Sequence, residues 1–273
     1  MDPKHIVIER DGEIATIRLN RPRYRNAQSR RMLDEMTEAF AMLDYDNSIK
    51  VILLTAEGDH FSAGHDLGTP EEVEDRETKP FGEGALGRLN RSWHLYIENS
   101  LRWRDVKKPT IAVVQGYCIF GGFLVASCMD LIICADDARF LPSHLQLLSA
   151  PWDLGVRNAK KILFENRFIY ADEALDLGLV TEVVPRDQLM AAARAQALRF
   201  AENDLMTLRM LKHSINAAQD AMGYRNNVQA NHSNYMLLEM TRSIRGADES
   251  AGRRQLGGVA AALEKDQRRR DEG

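Results

Sequence analysis

Val113-Val114-Gln115-Gly116-Tyr117-Cys118-Ile119-Phe120-Gly121-Gly122-Phe123 is the stretch whose reading decides the fold of this chain. An apolar strand runs into a glycine turn, and a helical pattern begins at once over 123–129. Such a junction leaves the first amide N–H groups of the helix without acceptors inside it, where they and the helix dipole attract negative charge. Upstream, Phe61-Ser62-Ala63-Gly64-His65-Asp66-Leu67 gives a second strand end with a glycine. Two N–H groups from such segments, aimed at one point, stabilise a developing oxyanion. A nucleotide-phosphate loop is excluded, because 116–122 lacks the Lys-Ser/Thr that ends a P-loop and does not follow the GxGxxG spacing.

Working outward, residues 5–10 and 13–19 read as a strand pair around the turn signal Asp11-Gly12. Over 28–45, Met32, Leu33, Met36, Phe40 and Leu43 recur at helical spacing between charged residues. Residues 51–55, 111–115 and 131–135 are short apolar runs, the pattern of strands buried on both faces. Strands alternating with helices imply parallel βαβ units and an α/β chain. The segment 66–101 is polar and dotted with glycine, and reads as a long connection, either a lid or a solvated insertion. From Arg186 onward the pattern is helical, over 187–202, 205–219, 224–246 and 249–264, and the charged last residues read as a fraying end.

At 273 residues the chain suits one large domain or a domain with an appendage. A net charge of −4 gives no reason to expect a nucleic-acid partner. The three cysteines, Cys118, Cys128 and Cys134, are odd in number, lie in or beside apolar runs and form no CxxC pair. They read as free thiols in a reducing compartment. The N-terminus has no apolar signal core and no run approaches membrane-spanning length, so the expectation is a cytoplasmic protein without membrane association. His5, His60, His94, His213 and His232 show no metal-ligand spacing, and no metal is expected.

Four groups of residues occur in a telling order. They are Asn20-Arg21-Pro22 with Asn26-Ala27, then 61–67, then Lys108-Pro109-Thr110-Ile111-Ala112 running on to Gly122, then 171–185. On these the chain resembles the crotonase (enoyl-CoA hydratase/isomerase) superfamily across residues 5–260. The resemblance implies a crotonase-like ββα spiral core over 1–195. It further implies a helical C-terminal oligomerisation region over 196–273 that builds homotrimers or hexamers. It implies an acyl-CoA thioester as substrate, with coenzyme A arriving as part of that substrate and no permanently bound cofactor. By the same resemblance the oxyanion donors are the amides of His65 and Gly121, so the His65 side chain is not required. A bare glycine at 121 also lets a thioester oxygen approach closely. Arg23, Tyr24, Arg25 and Ala63 fall where the family lines its coenzyme A groove, and two guanidiniums there suit phosphates. A solvated basic loop is the alternative reading of that segment.

Where the family's hydratases carry two glutamates, the matching positions hold Leu124 and His144, and no glutamate occurs between Glu98 and Glu165. Leucine cannot transfer a proton, so two-glutamate hydration is not expected. His144, Trp152 and Asp153 remain near the implied pocket, with His65 across from them. A histidine titrating near ~6.5, held by a carboxylate, makes a general base. The His-then-Asp pattern is similar to the superfamily's carbon–carbon-bond hydrolases. The expectation is a lyase or hydrolase in which His144 and Asp153 replace the glutamates in water-dependent chemistry. Several alternatives stay open. Asp153 is placed to cap a helix starting near Gly155. His144 lies among leucines as a core histidine would. The Ser-Ala-Gly-His-Asp run is similar to methylmalonyl-CoA decarboxylase, a third chemistry. The chain could also be a catalytically silent acyl-CoA-binding protein, or act on a free diketone without coenzyme A. A dehalogenase-like branch places an aspartate near Asp153, but not in register.

Overall fold

The architecture is that of a computed structural model, which describes residues 3–79, 81–142, 145–244 and 251–272. Its strands, in chain order, are β1 (Ile6–Asp11), β2 (Ile14–Leu19), β3 (Val51–Ala56), β4 (Thr110–Val114), β5 (Tyr117–Ile119), β6 (Leu131–Ala135), β7 (Arg139–Leu141), β8 (Ile169–Tyr170) and β9 (Glu182–Val184). Six of them form one sheet in the order β1-β2-β3-β4-β6-β9, and β5-β7-β8 form a second. Among the described residues, only β1 with β2 and β7 with β8 pair antiparallel. The β1–β2 hairpin turns at Gly12, whose φ of +60° places it in the left-handed region. The α/β class and the helical C-terminal region are those the sequence implied.

The apolar strands are explained by cover on both faces. Ile52, Leu54, Ala112, Val114 and Cys134 face one cluster, with Met32, Met36, Phe40 and Leu43 of the helix Arg30–Tyr45. Their neighbours Val51, Leu53, Ile111, Val113 and Ile133 face another, with Leu189, Ala193 and Ala197 of the helix Leu189–Ala201. Each fully buried side chain of this kind contributes roughly 1.5–3 kcal/mol. The 195/196 boundary falls inside that helix, whose small side chains let it lie close on the sheet.

The Lys108-Pro109-Thr110 motif is a brace. Lys108 is buried and its Nζ donates to the carbonyls of Leu43 and Asp46 at the end of the helix Arg30–Tyr45, while burial pushes its pKa down to about 8. Asp130 Oδ2 accepts from Thr110 N at 2.7 Å and pairs with Lys212 Nζ at 2.7 Å, tying β4 to the C-terminal helices.

Residues 66–101 differ from the expectation of a loop. They carry the helices Pro70–Thr78 and Gly84–Ser92, a π-helical turn Trp93–Glu98, and the start of the helix Asn99–Arg104. Thr69 caps the first of these by accepting from Glu72 N at 3.4 Å, with Pro70 in the first turn. Glu72 is buried and paired with Arg76 and Arg91. High polarity here reflects an ion-paired layer, not an unfolded insertion. The C-terminal end also differs from its reading as frayed. The helix Ala251–Glu272 is pinned through Asp266, which pairs with Arg139 at 3.3 Å and accepts from the Tyr170 hydroxyl.

Candidate active site

The segment 61–66 threads between β5 and Gln28. Ser62 N donates to Tyr117 O at 3.0 Å, and Ile119 N donates to Ser62 O at 3.0 Å. On the other side Gln28 N donates to Gly64 O at 2.8 Å and Asp66 N donates to Gln28 O at 3.0 Å. Gly64 C=O and Asp66 N–H are thus spent on Gln28. Because successive peptide groups of an extended chain point to opposite sides, the His65 N–H faces away from it. Gly121 opens the helix Gly121–Ser127, so its own N–H has no intrahelical acceptor. Neither amide has a protein acceptor among the described residues. Phe120, at φ 43° and ψ −97°, makes the sharp turn that aims Gly121, and its N–H is fixed on Leu141 O at 2.9 Å. A bulky residue in that conformation is strained, and such strain collects at functional sites.

Glycine at 121 is demanded by the protein's own packing. A Cβ there would lie 2.6 Å from Gln28 Oε1, 2.6 Å from His65 Nδ1 and 2.7 Å from His65 Cε1. The imidazole that the sequence made dispensable therefore packs directly on the helix start. Its Nε2 is 2.7 Å from Gln146 Oε1, and its ring lies 3.8 Å from the Tyr96 ring, which the π-helical turn presents. With Gln146 Oε1 as acceptor, the ring proton sits on Nε2 and Nδ1 keeps a lone pair. Nδ1 is enclosed and, like Gln28 Oε1, has no partner among the described residues. Burial pulls the His65 pKa down to about 4, so the ring is neutral at physiological pH. Behind it, Gln146 Nε2 reaches Ser92 Oγ at 3.4 Å, and Ser92 Oγ reaches His232 Nε2 at 3.0 Å. Gln28, Tyr96 and Gln146 are the site residues that sequence reading missed. Only the i,i+4 spacing of Ser92 and Tyr96 was a local signal, and their partners lie far away in the chain.

The loop that carries Arg23, Tyr24 and Arg25 joins this framework. Ala63 N donates to Arg25 O at 2.9 Å, and Asn26 Nδ2 donates to both Glu57 O and His60 O at 2.9 Å. Arg21 is buried and pairs with Asp66 at 2.9 Å. Burial opposes ionisation of Asp66, but bonds from Thr69, Arg21 and Gly68 outweigh it and hold its pKa below the usual range. Arg23 and Arg25 are exposed beside the half-exposed Tyr24.

Other predicted residues fall elsewhere. Leu124 is buried in the main core. His144 lies outside the described residues, and so does its pairing with Asp153. Asp153 ends the short turn Ala150–Asp153; the next helix starts after Gly155 without a side-chain cap, so Asp153 does not cap it. Its carboxylate instead lines a cavity of about 650 Å³ with Cys128 and Tyr224, at the C-terminal end of the helix Gly121–Ser127. Burial raises its pKa to about 6, against a hydrogen bond from Ser149. His65 borders a different cavity, of about 290 Å³, together with Gln146 and Tyr96. Among the described residues no group of three or more His, Cys, Asp or Glu could hold a metal ion, and no helix is long and apolar enough to cross a membrane. The three cysteines are free and buried.

The chain is similar to several known proteins. The enoyl-CoA hydratase/isomerase family model matches residues 9–254. A crystal structure of a probable enoyl-CoA hydratase from Mycobacterium thermoresistibile superposes with a TM-score of 0.78 at 38% identity, covering 85% of this chain and 95% of its own. The short-chain-enoyl-CoA hydratase of Clostridium acetobutylicum is 30% identical over 226 residues, 79% of this chain and 82% of its own. A 4-chlorobenzoyl coenzyme A dehalogenase from Arthrobacter sp is 35% identical over 192 residues, 66% of each chain.

Proposed function

We propose that this chain, which belongs to the enoyl-CoA hydratase/isomerase family, holds the thioester oxygen of an acyl-CoA between the amides of His65 and Gly121 while negative charge develops on that oxygen. The observation that carries the reading is the pair of backbone donors at a strained turn. The Gln28 bridge turns the His65 N–H away from Gln28, and Phe120 fixes the Gly121 N–H. Donors fixed in advance need no reorganisation when charge develops, which is why such pairs contribute strongly to catalysis. The exposed Arg23 and Arg25, hydrogen-bonded through Ala63 to the same segment, receive the phosphates of coenzyme A.

The chemistry after enolate formation does not run through a carboxylate at 124, where a buried leucine stands. Water-dependent lyase or carbon–carbon hydrolase chemistry assigns the proton to His144, while Asp153, at the far end of the helix Gly121–Ser127, lines a separate cavity and takes no direct part. The neutral His65 ring, locked by Gln146 and Tyr96, holds the donors in place and presents Nδ1 toward Gly121. The exposed side chains Met206, Leu211, Ile215 and Met222 of the C-terminal helices support assembly into a homotrimer or hexamer as part of the same proposal.

Incubation of the purified protein in D₂O with crotonyl-CoA, an aromatic enoyl-CoA, methylmalonyl-CoA and a cyclic β-diketone, read by mass spectrometry, tests the reading. Gain of water, loss of CO₂ or α-deuteration of a thioester is expected. Tight acyl-CoA binding with neither turnover nor exchange would overturn the enzymatic reading in favour of a binding protein.

A further inference from the structure

The cavity beside His65 exposes more apolar than polar surface, yet three guanidiniums reach it. Arg76, Arg88 and Arg91, from the two helices that fill 66–101, line it together with Gln146 and with Glu239 of the helix Tyr224–Ile244. Small-molecule pockets are mostly apolar with a few placed polar groups, so three guanidiniums in about 290 Å³ call for a counter-charge. The described residues supply too little. Arg76 Nε lies 3.0 Å from Glu72 Oε1, and Arg91 shares the same oxygen. The other oxygen of Glu72 is taken by Arg30 N at 3.1 Å. Arg88 is exposed and has no hydrogen bond or ion pair among the described residues. Among the described residues, three cations therefore face two carboxylates, Glu72 and Glu239. The field extends to the reacting end, since burial first, then Arg91 and Arg76, disfavour a charged His65.

We infer that the acyl group accepted here ends in a carboxylate, received by Arg88 and Arg91 while the thioester oxygen rests between the His65 and Gly121 amides. This rests on the acyl-CoA reading above and adds the substrate class. The guanidinium fork matches a carboxylate in two parallel hydrogen bonds, and Arg88 brings donors not spent on the protein's described residues. A methyl-ended chain would leave that charge unpaired.

Calorimetric titration of the full chain with succinyl-CoA and butyryl-CoA isolates the point, because the two differ only in a terminal carboxylate against a terminal methyl. Succinyl-CoA should bind about 10- to 100-fold tighter, the range of a charge-assisted hydrogen bond. Arg88→Gln, at an exposed side chain without a partner, should remove most of that preference and leave butyryl-CoA affinity unchanged, and Arg88→Lys should restore part of it. Equal or tighter butyryl-CoA binding by the unsubstituted protein would overturn the inference while leaving the acyl-CoA reading intact. Equal weakening of both thioesters by Arg88→Gln would overturn it too, by giving the arginine to the coenzyme phosphates. Binding of neither thioester would overturn the acyl-CoA reading and this inference with it.

Discussion

The two ends of the helix Gly121–Ser127 are built for opposite charges. At the first end, backbone amides of Gly121 and His65 lack acceptors among the described residues, the imidazole beside them is neutral, and three arginines line the adjoining cavity. At the last end, Ser127 Oγ lies 3.1 Å from Ser149 Oγ, and Asp153 faces Cys128 and Tyr224 in a larger cavity. Burial raises the carboxylate to about 6 and the Cys128 thiol to about 12, so that end resists negative charge as the first end invites it. The difference shows that the chemistry of this helix is set by what its neighbours bring to each end.

The largest effect that would break this contrast is expected at Gly121. Gly121→Val drives side-chain atoms into Gln28 and His65, and turnover or α-exchange should fall by roughly 100- to 1,000-fold, the range for losing one oxyanion donor. Ser127→Val, at the other end, should leave it nearly unchanged. Equal losses from both, measured as kcat/KM on any responsive thioester, would remove the special status of the first end.

A smaller effect is expected one layer out. Gln146→Leu leaves His65 Nε2 without its partner in an enclosed place, and unfolding free energy should drop by about 1–3 kcal/mol. The loss should appear in urea denaturation, with kcat falling more than affinity for the thioester. An unchanged denaturation midpoint would show that the Gln146 bond does not hold the ring.

The pH dependence of stability separates the ends more finely. His65 binds protons less readily in the folded state, at about 4 against an ordinary 6.5, so its contribution is present above pH 6.5 and lost as pH falls toward 4. Asp153 binds protons more readily when folded, at about 6 against 3.8, so its contribution runs the other way and is lost as pH rises toward 6. Over the shared window, from about 4 to about 6, the two slopes offset. Denaturation midpoints of Asp153→Asn should therefore show a steeper acid loss, and those of His65→Gln a shallower or inverted one. At neutral pH, Asp153→Asn should gain about 1–2 kcal/mol, the shift discounted for partial exposure. Identical pH profiles for the two variants would erase the contrast.

Much of this was legible in the chain. The apolar runs of β3, β4 and β6 required cover on both faces, and Arg30–Tyr45 carried its stripe at helical spacing. Gly64, His65 and Gly121 stood out as residues of strand ends and turns. The helix Pro70–Thr78 was also legible, in Thr69-Pro70-Glu71-Glu72, a capping signal outweighed by the polarity of residues 74–79. That polarity misled because Glu72 finds Arg91 across the fold, a pairing no short window of sequence contains.

The sequence by itself determined β1 to β4 and β6, the helix Arg30–Tyr45, the helical C-terminal region and the two glycine-bearing ends, because backbone conformation and hydrophobic periodicity are local properties. Only the tertiary structure decided which side chains meet at each end of one short helix. Gln28, Tyr96 and Gln146 come together at His65 from three distant segments, and Asp153 turns toward Cys128 and Tyr224. Close packing, which admits no Cβ at Gly121 and encloses one carboxylate oxygen of Asp153, is a property of the assembled interior and of no stretch of chain within it.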